Sequence, residues 1–98
     1  MAWYGGEIVV PAIATKLTAL LGLPWKREAY FLDIRADGAN AGNVFIGNSN
    51  VTLTTNRRSF IQKGEGYEFG PYTYYLVNTD DVYIIGTAND KCYVSGVD

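Results

Sequence analysis

From residue 28 onward the chain is interrupted by short polar clusters, "DGANAGN", "NSN", "KGEG", "NTDD" and "AND". Between them stand brief runs rich in β-branched and aromatic residues, such as "YFLDIRA", "VFIG", "VYIIG" and "CYV". Glycine, asparagine and aspartate supply turn conformations, and the runs between them have strand composition at strand length. Turns recurring every eight to twelve residues or so imply a mainly β protein. The expectation is a β-sandwich or jelly-roll-like barrel of six to eight short antiparallel strands. With 98 residues and no internal repeat or linker, residues 1–98 form a single domain.

Side-chain alternation gives the strands their faces. In "EAYFLDIRA", Tyr30, Leu32, Ile34 and Ala36 share one side, and Phe31, Asp33 and Arg35 the other. "VTLTT" reads as a half-buried strand with Val51 and Leu53 inward, forming a tight hairpin with "VFIG". "NRRSFIQKGEG" then reads as an exposed connection that returns Phe60 and Ile61 to the core. "YEF" and "YTYYLV" flank Gly70-Pro71, and "DVYIIGT" and "KCYVSGV" read as a hairpin around Ala88-Asn89-Asp90.

The first 28 residues differ. "WYGGEIVV" reads as a strand weakened by Gly5 and Gly6 and closed by Pro11, so residues 1–11 form an N-terminal edge strand or arm. In "IATKLTALLGLP", Ile13, Leu17, Leu20 and Leu21 recur at helical spacing, with Gly22 suited to the C-terminal cap. One short helix near residues 14–21 is expected over an open end of the sheet.

Charge narrows the partners. A net charge of −2 provides no positive field for nucleic acid or anionic lipid, and neither is expected to bind. The N-terminal apolar stretch is broken by Glu7, Pro11 and Lys16, unlike a signal peptide or membrane span. Charged residues are only 18% of the chain, too few to cover its outside, so some apolar surface should meet a partner.

Catalytic equipment is sparse. No histidine is present, which removes the commonest general base and the Ser-His and Cys-His nucleophile pairs. Cys92 is the single cysteine and reads as a small buried hydrophobe. The carboxylate clusters Glu65/Glu68 and Asp80/Asp81 sit in turn contexts, with "NTDD" composed like an Asx turn. "NTDD" and "AND" are only fragments of a calcium loop. No enzyme activity, cofactor or metal is expected.

What remains is aromatic surface. In an extended "YTYYLV", Tyr72, Tyr74 and Leu76 point one way and Thr73, Tyr75 and Val77 the other, so both faces are apolar. One can fill the core; the other, led by Tyr75, is expected to meet protein, where tyrosine is favoured. Sugar stacking on Tyr72, Tyr75 and Trp25 is the alternative. Arg57 and Arg58 could pair with carboxylates of a neighbouring subunit. The candidate interface residues are Trp3, Tyr4, Arg57, Arg58, Tyr72, Tyr74 and Tyr75.

The segments "RADGANAGNVFIGNSNVT", "IQKGEGYEF" and "DVYIIGTANDKCYVSGV", in that order, resemble small β-rich virion structural proteins of tailed bacteriophages. The resemblance covers about residues 33–97, and "TKLTALLGLP" is similar too. It implies a capsid decoration, or cement, protein that binds the outer shell and bridges capsid subunits. The implied partners are the major capsid protein or another virion protein, and further copies of the chain in a trimer or dimer. The implied location is the capsid surface, after synthesis in the host bacterial cytoplasm. Alternatives in the same setting are a carbohydrate- or receptor-binding tail module and a head-to-tail or tail structural subunit.

Overall fold

The computed structural model describes residues 3–69 and 77–97. In chain order it contains β1 (Trp3–Val9), β2 (Thr15–Lys16), α1 (Leu17–Leu20), β3 (Glu28–Ala29), β4 (Phe31–Ala36) and β5 (Val44–Gly47). There follow β6 (Arg57–Ile61), β7 (Gly66–Phe69), β8 (Val77–Asn78), β9 (Tyr83–Gly86) and β10 (Lys91–Val97). The run "YTYYLV" lies outside the described residues except for Val77, which belongs to β8.

Apart from the two-residue β3–β8 ladder, the strands pair as nested layers of one long hairpin. β5 pairs with β6 at its centre, β4 with β7, β2 with β9, and β1 with β10 at its ends. Rolling that hairpin brings β10 beside β4 and β9 beside β5. The result is two four-stranded antiparallel sheets, β1-β10-β4-β7 and β2-β9-β5-β6. This is a jelly-roll sandwich.

The roll corrects one sequence expectation. "DVYIIGT" and "KCYVSGV" are not a hairpin: β9 lies in one sheet and β10 in the other, and the turn at Ala88-Asn89-Asp90 is a corner between sheets. Each strand already has two neighbours, β5 and β2 for β9, β4 and β1 for β10, so neither has an edge left for the other.

Inward residues come from both sheets and form one core. Leu32, Ile34 and Ala36 of β4 meet Ile8, Cys92 and Val94 from the same sheet and Val44, Ile46, Ile61 and Ile84 from the facing one. The alternation read in β4 holds from Leu32 to Ala36, but Tyr30 precedes the strand and is exposed.

Residues 51–55 are not a strand. The Thr52 hydroxyl accepts from the Thr54 and Thr55 amides at 3.2 and 2.9 Å, and the Thr52 amide donates to the Thr55 carbonyl. A threonine side chain thus captures the backbone that a ladder would need. Val51 is buried as expected, whereas Leu53 is exposed. The strand partner of β5 is instead β6, so Arg57 and Arg58 stand on a strand and not on a loop. Ile61 enters the core, but Phe60 points outward, one alternation step away.

The helix is a single turn. Thr15 and Lys16 pair with Ile84 and Tyr83, which holds the segment extended up to Leu17. Gly22, at φ +68°, closes the turn: its amide donates to the Ala19 carbonyl and the Leu23 amide to that of Thr18. That is a Schellman cap. The turn docks at one end of the sandwich through Leu17 N–H to the Val82 carbonyl and Thr18 N–H to that of Thr79. Among the described residues, no helix is long and apolar enough to cross a membrane.

Candidate interaction surfaces

The outer face of the β1-β10-β4-β7 sheet is set by register. Trp3, Gly5, Glu7 and Val9 of β1 lie beside Val97, Ser95, Tyr93 and Lys91 of β10, and Ser95 lies beside Asp33 of β4. Trp3 is 71% exposed and Tyr93 46%, and between them Gly5 and Ser95 leave a shallow depression. Gly5 is obligatory there: at φ +143° a Cβ would lie 2.0 Å from the Val94 carbonyl oxygen.

Polar contacts stiffen this face. The Tyr93 hydroxyl donates to Asp37 at 3.0 Å, and the Lys91 ammonium lies 3.1 Å from Glu7. The Ala39 amide, and after it the Tyr93 hydroxyl, hold the Asp37 carboxyl below its usual range. Accepting that bond, Asp37 pushes the Tyr93 hydroxyl upward, and Glu7 raises Lys91.

Tyr4 was expected at an interface, but alternation turns its side chain to the inner face. Its ring packs over Gly96, where an added Cβ would come within 2.5 Å of it, and the Arg27 guanidinium lies 4.6 Å from its centre. The ring is committed to the chain's own core edge, leaving Trp3 as the outward aromatic of β1.

The two arginines of β6 serve different faces. Arg57 lies over the outward rings of Phe45 and Phe60, 5.0 and 5.9 Å from their centres. Arg58 lies 5.5 Å from the Phe69 ring, and its Nε donates to the Tyr67 hydroxyl at 3.2 Å. It thereby bridges β6 and β7, which belong to opposite sheets. Both arginines engage aromatic rings of their own chain, not only solvent.

Tyr72, Tyr74 and Tyr75 lie outside the described residues. Trp25, on the loop between α1 and β3, is 71% exposed. Val9 and Tyr93, which the sequence reading does not name, are exposed too, as are Ile13 and Tyr30, which it places on the apolar faces of the helix and of β4. Strand parity alone could have found Val9 and Tyr93, since each alternates with a buried neighbour.

Two of the four carboxylates considered for catalysis, Asp80 and Glu65, have local duties. Asp80 accepts from the Thr18 hydroxyl at 2.6 Å, and that bond, with Lys16 nearby, holds its carboxyl below the usual range. The Asp80 amide donates to the Asn78 side chain at 2.9 Å, the Asx turn read from "NTDD". Glu65 accepts from the Gln62 amide across a turn. Among the described residues, no three His, Cys, Asp or Glu side chains group as a metal site would require.

A buried polar interlock went unread in the sequence. Asn40 and Asp90, both nearly inaccessible, tie "DGANAGN" to the corner before β10. The Asn40 side-chain Nδ2 donates to the Lys91 carbonyl at 2.9 Å and its Oδ1 accepts from the Lys91 backbone amide at 2.8 Å, imitating a strand partner. Asp90 accepts from the Ala41 and Gly42 amides at 2.9 and 3.0 Å. Comparison of the chain with protein-family models, with curated proteins and with solved structures finds no match.

Proposed function

We propose that the chain is a non-catalytic structural protein of a bacteriophage virion, of the capsid decoration type. The observation that carries this reading is the exposed apolar surface: Trp3, Val9, Ile13, Trp25, Tyr30 and Tyr93 all stand open on a small jelly roll. Exposed aromatic surface of that kind is what a protein-contacting module presents. Jelly rolls also recur among viral capsid domains, which supports the reading at the level of fold alone. The sequence likeness to small virion proteins supplies the setting.

In this role each copy buries part of that surface against the shell and holds neighbouring capsid subunits together. A bridge that engages two subunits at once gains from effective concentration beyond either contact. The test is to compare shells with and without the protein under heating and osmotic shock. Depleted shells should open at lower temperature and recover when purified protein is added. Equal resistance would refute the role.

Carbohydrate recognition is the second reading, favoured by Trp3 and Tyr93 flanking the Gly5–Ser95 floor with Glu7 beside it. Rings of this kind stack on sugars, and carboxylates accept from sugar hydroxyls. A glycan panel that leaves tryptophan fluorescence unchanged removes it.

A further inference from the structure

Four strands border the two sheets, and three of them are poorly suited to pairing with another chain. β2 has only two residues; β6 carries Arg57 and Arg58 beside a register shift at Ile46/Gly47; β7 has four residues, including Glu68. Short length, edge charge and bulges are the devices that keep edges from pairing. β1 is neither short nor bulged. It runs seven residues in unbroken register with β10, and its single charge, Glu7, is held by Lys91.

The polar groups of that edge follow from the ladder. Val10 N–H donates to the Asp90 carbonyl at 2.7 Å, in the register that continues through β1 and β10. In an antiparallel ladder hydrogen-bonded pairs alternate, so Ile8, Gly6 and Tyr4 direct their amides and carbonyls to β10. Trp3, Gly5, Glu7 and Val9 direct theirs outward. Among the described residues no strand pairs with that side of β1.

We propose that β1 pairs antiparallel with β1 of a second copy, about a two-fold axis at Gly6, joining two four-stranded sheets into one of eight strands. Only this register uses all four outward residues: Trp3 faces the partner's Val9, and Gly5 faces the partner's Glu7. The two exposed apolar side chains of β1, 71% and 53% accessible, then cover each other. A register centred on Glu7 would instead set the two carboxylates face to face, which is unfavourable. In the Gly6 register Glu7 and the partner's Glu7 are diagonal, each with its own Lys91. Gly6 suits the axis because the space a Cβ would take there is open.

Seven paired residues form a strip about 24 Å long. With the Trp3 rings, such a contact falls near the lower end of specific interfaces, so the dimer dissociates on dilution. The pairing rests on β1 alone and is independent of the virion role.

Sedimentation equilibrium of the full chain from micromolar to millimolar concentration should show mass rising from one copy to two. Glu7→Pro removes an outward N–H without touching the β10 ladder and should abolish the rise while the circular dichroism spectrum stays that of the parent. As a register test that does not depend on that variant folding, Trp3→Cys and Val9→Cys chains are mixed and oxidised. Mixed disulfide should exceed either self-disulfide several-fold; the native Cys92 is buried. A monomer at every concentration overturns the proposal, as does a dimer that persists in folded Glu7→Pro or a preference for self-disulfides.

Discussion

Replacing Asn40 by alanine tests the interlock between the two sheets most directly. The substitution removes two short hydrogen bonds to Lys91, at 2.9 and 2.8 Å. A typical hydrogen bond contributes about 1 kcal/mol net, giving about 2 kcal/mol for the pair. The Lys91 carbonyl keeps a donor, the Asp37 amide at 3.0 Å, whereas the Lys91 amide loses the acceptor it has. An orphaned amide adds up to roughly 1 kcal/mol, for a loss of about 2–3 kcal/mol. For a domain of this size that lowers Tm by roughly 10–20 °C. Urea unfolding followed by circular dichroism should show a lower midpoint with an unchanged slope. Asn40→Asp sharpens the test, because a carboxylate still accepts from the Lys91 amide but cannot donate to the carbonyl. Its deficit should be largest near neutral pH and shrink in acid, where the protonated carboxyl regains a donor. A loss below about 0.5 kcal/mol in Asn40→Ala, within the range of ordinary surface substitutions, would refute the reasoning.

Gly5→Ala should destabilise by about 3 kcal/mol or more, since it combines strain at φ +143° with overlap on the Val94 carbonyl, and thermal unfolding would measure it. Cys92, whose thiol burial pushes up to about 12, should resist a thiol reagent at pH 8 in the folded protein and react in urea. Asp37 and Asp80 have carboxyls lowered from 3.8 in the fold, so their contribution is fully present above the unfolded value and is lost as pH falls through the folded one. Asp80→Asn should therefore flatten the loss of stability below about pH 4 in a pH series of melts.

Much of the architecture is legible in the sequence. Turn clusters at regular spacing required a mainly β chain, and Leu32, Ile34 and Ala36 displayed the core face of β4 because strand parity is a local property. Gly22 was readable as a helix cap for the same reason: its need for positive φ is decided within one turn. The failures lie where local signals compete. "VTLTT" has strand composition, yet Thr52 binds the backbone two and three residues ahead, and composition does not report that choice.

The candidate surface was half legible. Trp3 could be named as outward, and its parity with Glu7 and Val9 carried the signal that turns Tyr4 inward, a signal weakened by the two glycines between them and fixed in the fold by the pairing of Tyr4 with Gly96. Arg57 and Arg58 read as loop charges because three of their four aromatic partners, Phe45, Tyr67 and Phe69, lie on other strands, and Phe60 meets Arg57 only once the segment is a strand.

By itself the sequence determined most of the strand character and turn positions, the Gly22 helix cap and the absence of histidine chemistry, all properties of residues and their near neighbours. Tertiary structure alone decided which strands pair. Pairing is non-local: β1 meets β10 across nearly the whole chain, and the adjacent β9 and β10 separate into opposite sheets. That choice is made by burying both sheets' apolar faces together, and it leaves β1 with the long, nearly uncharged edge on which the proposed self-pairing depends.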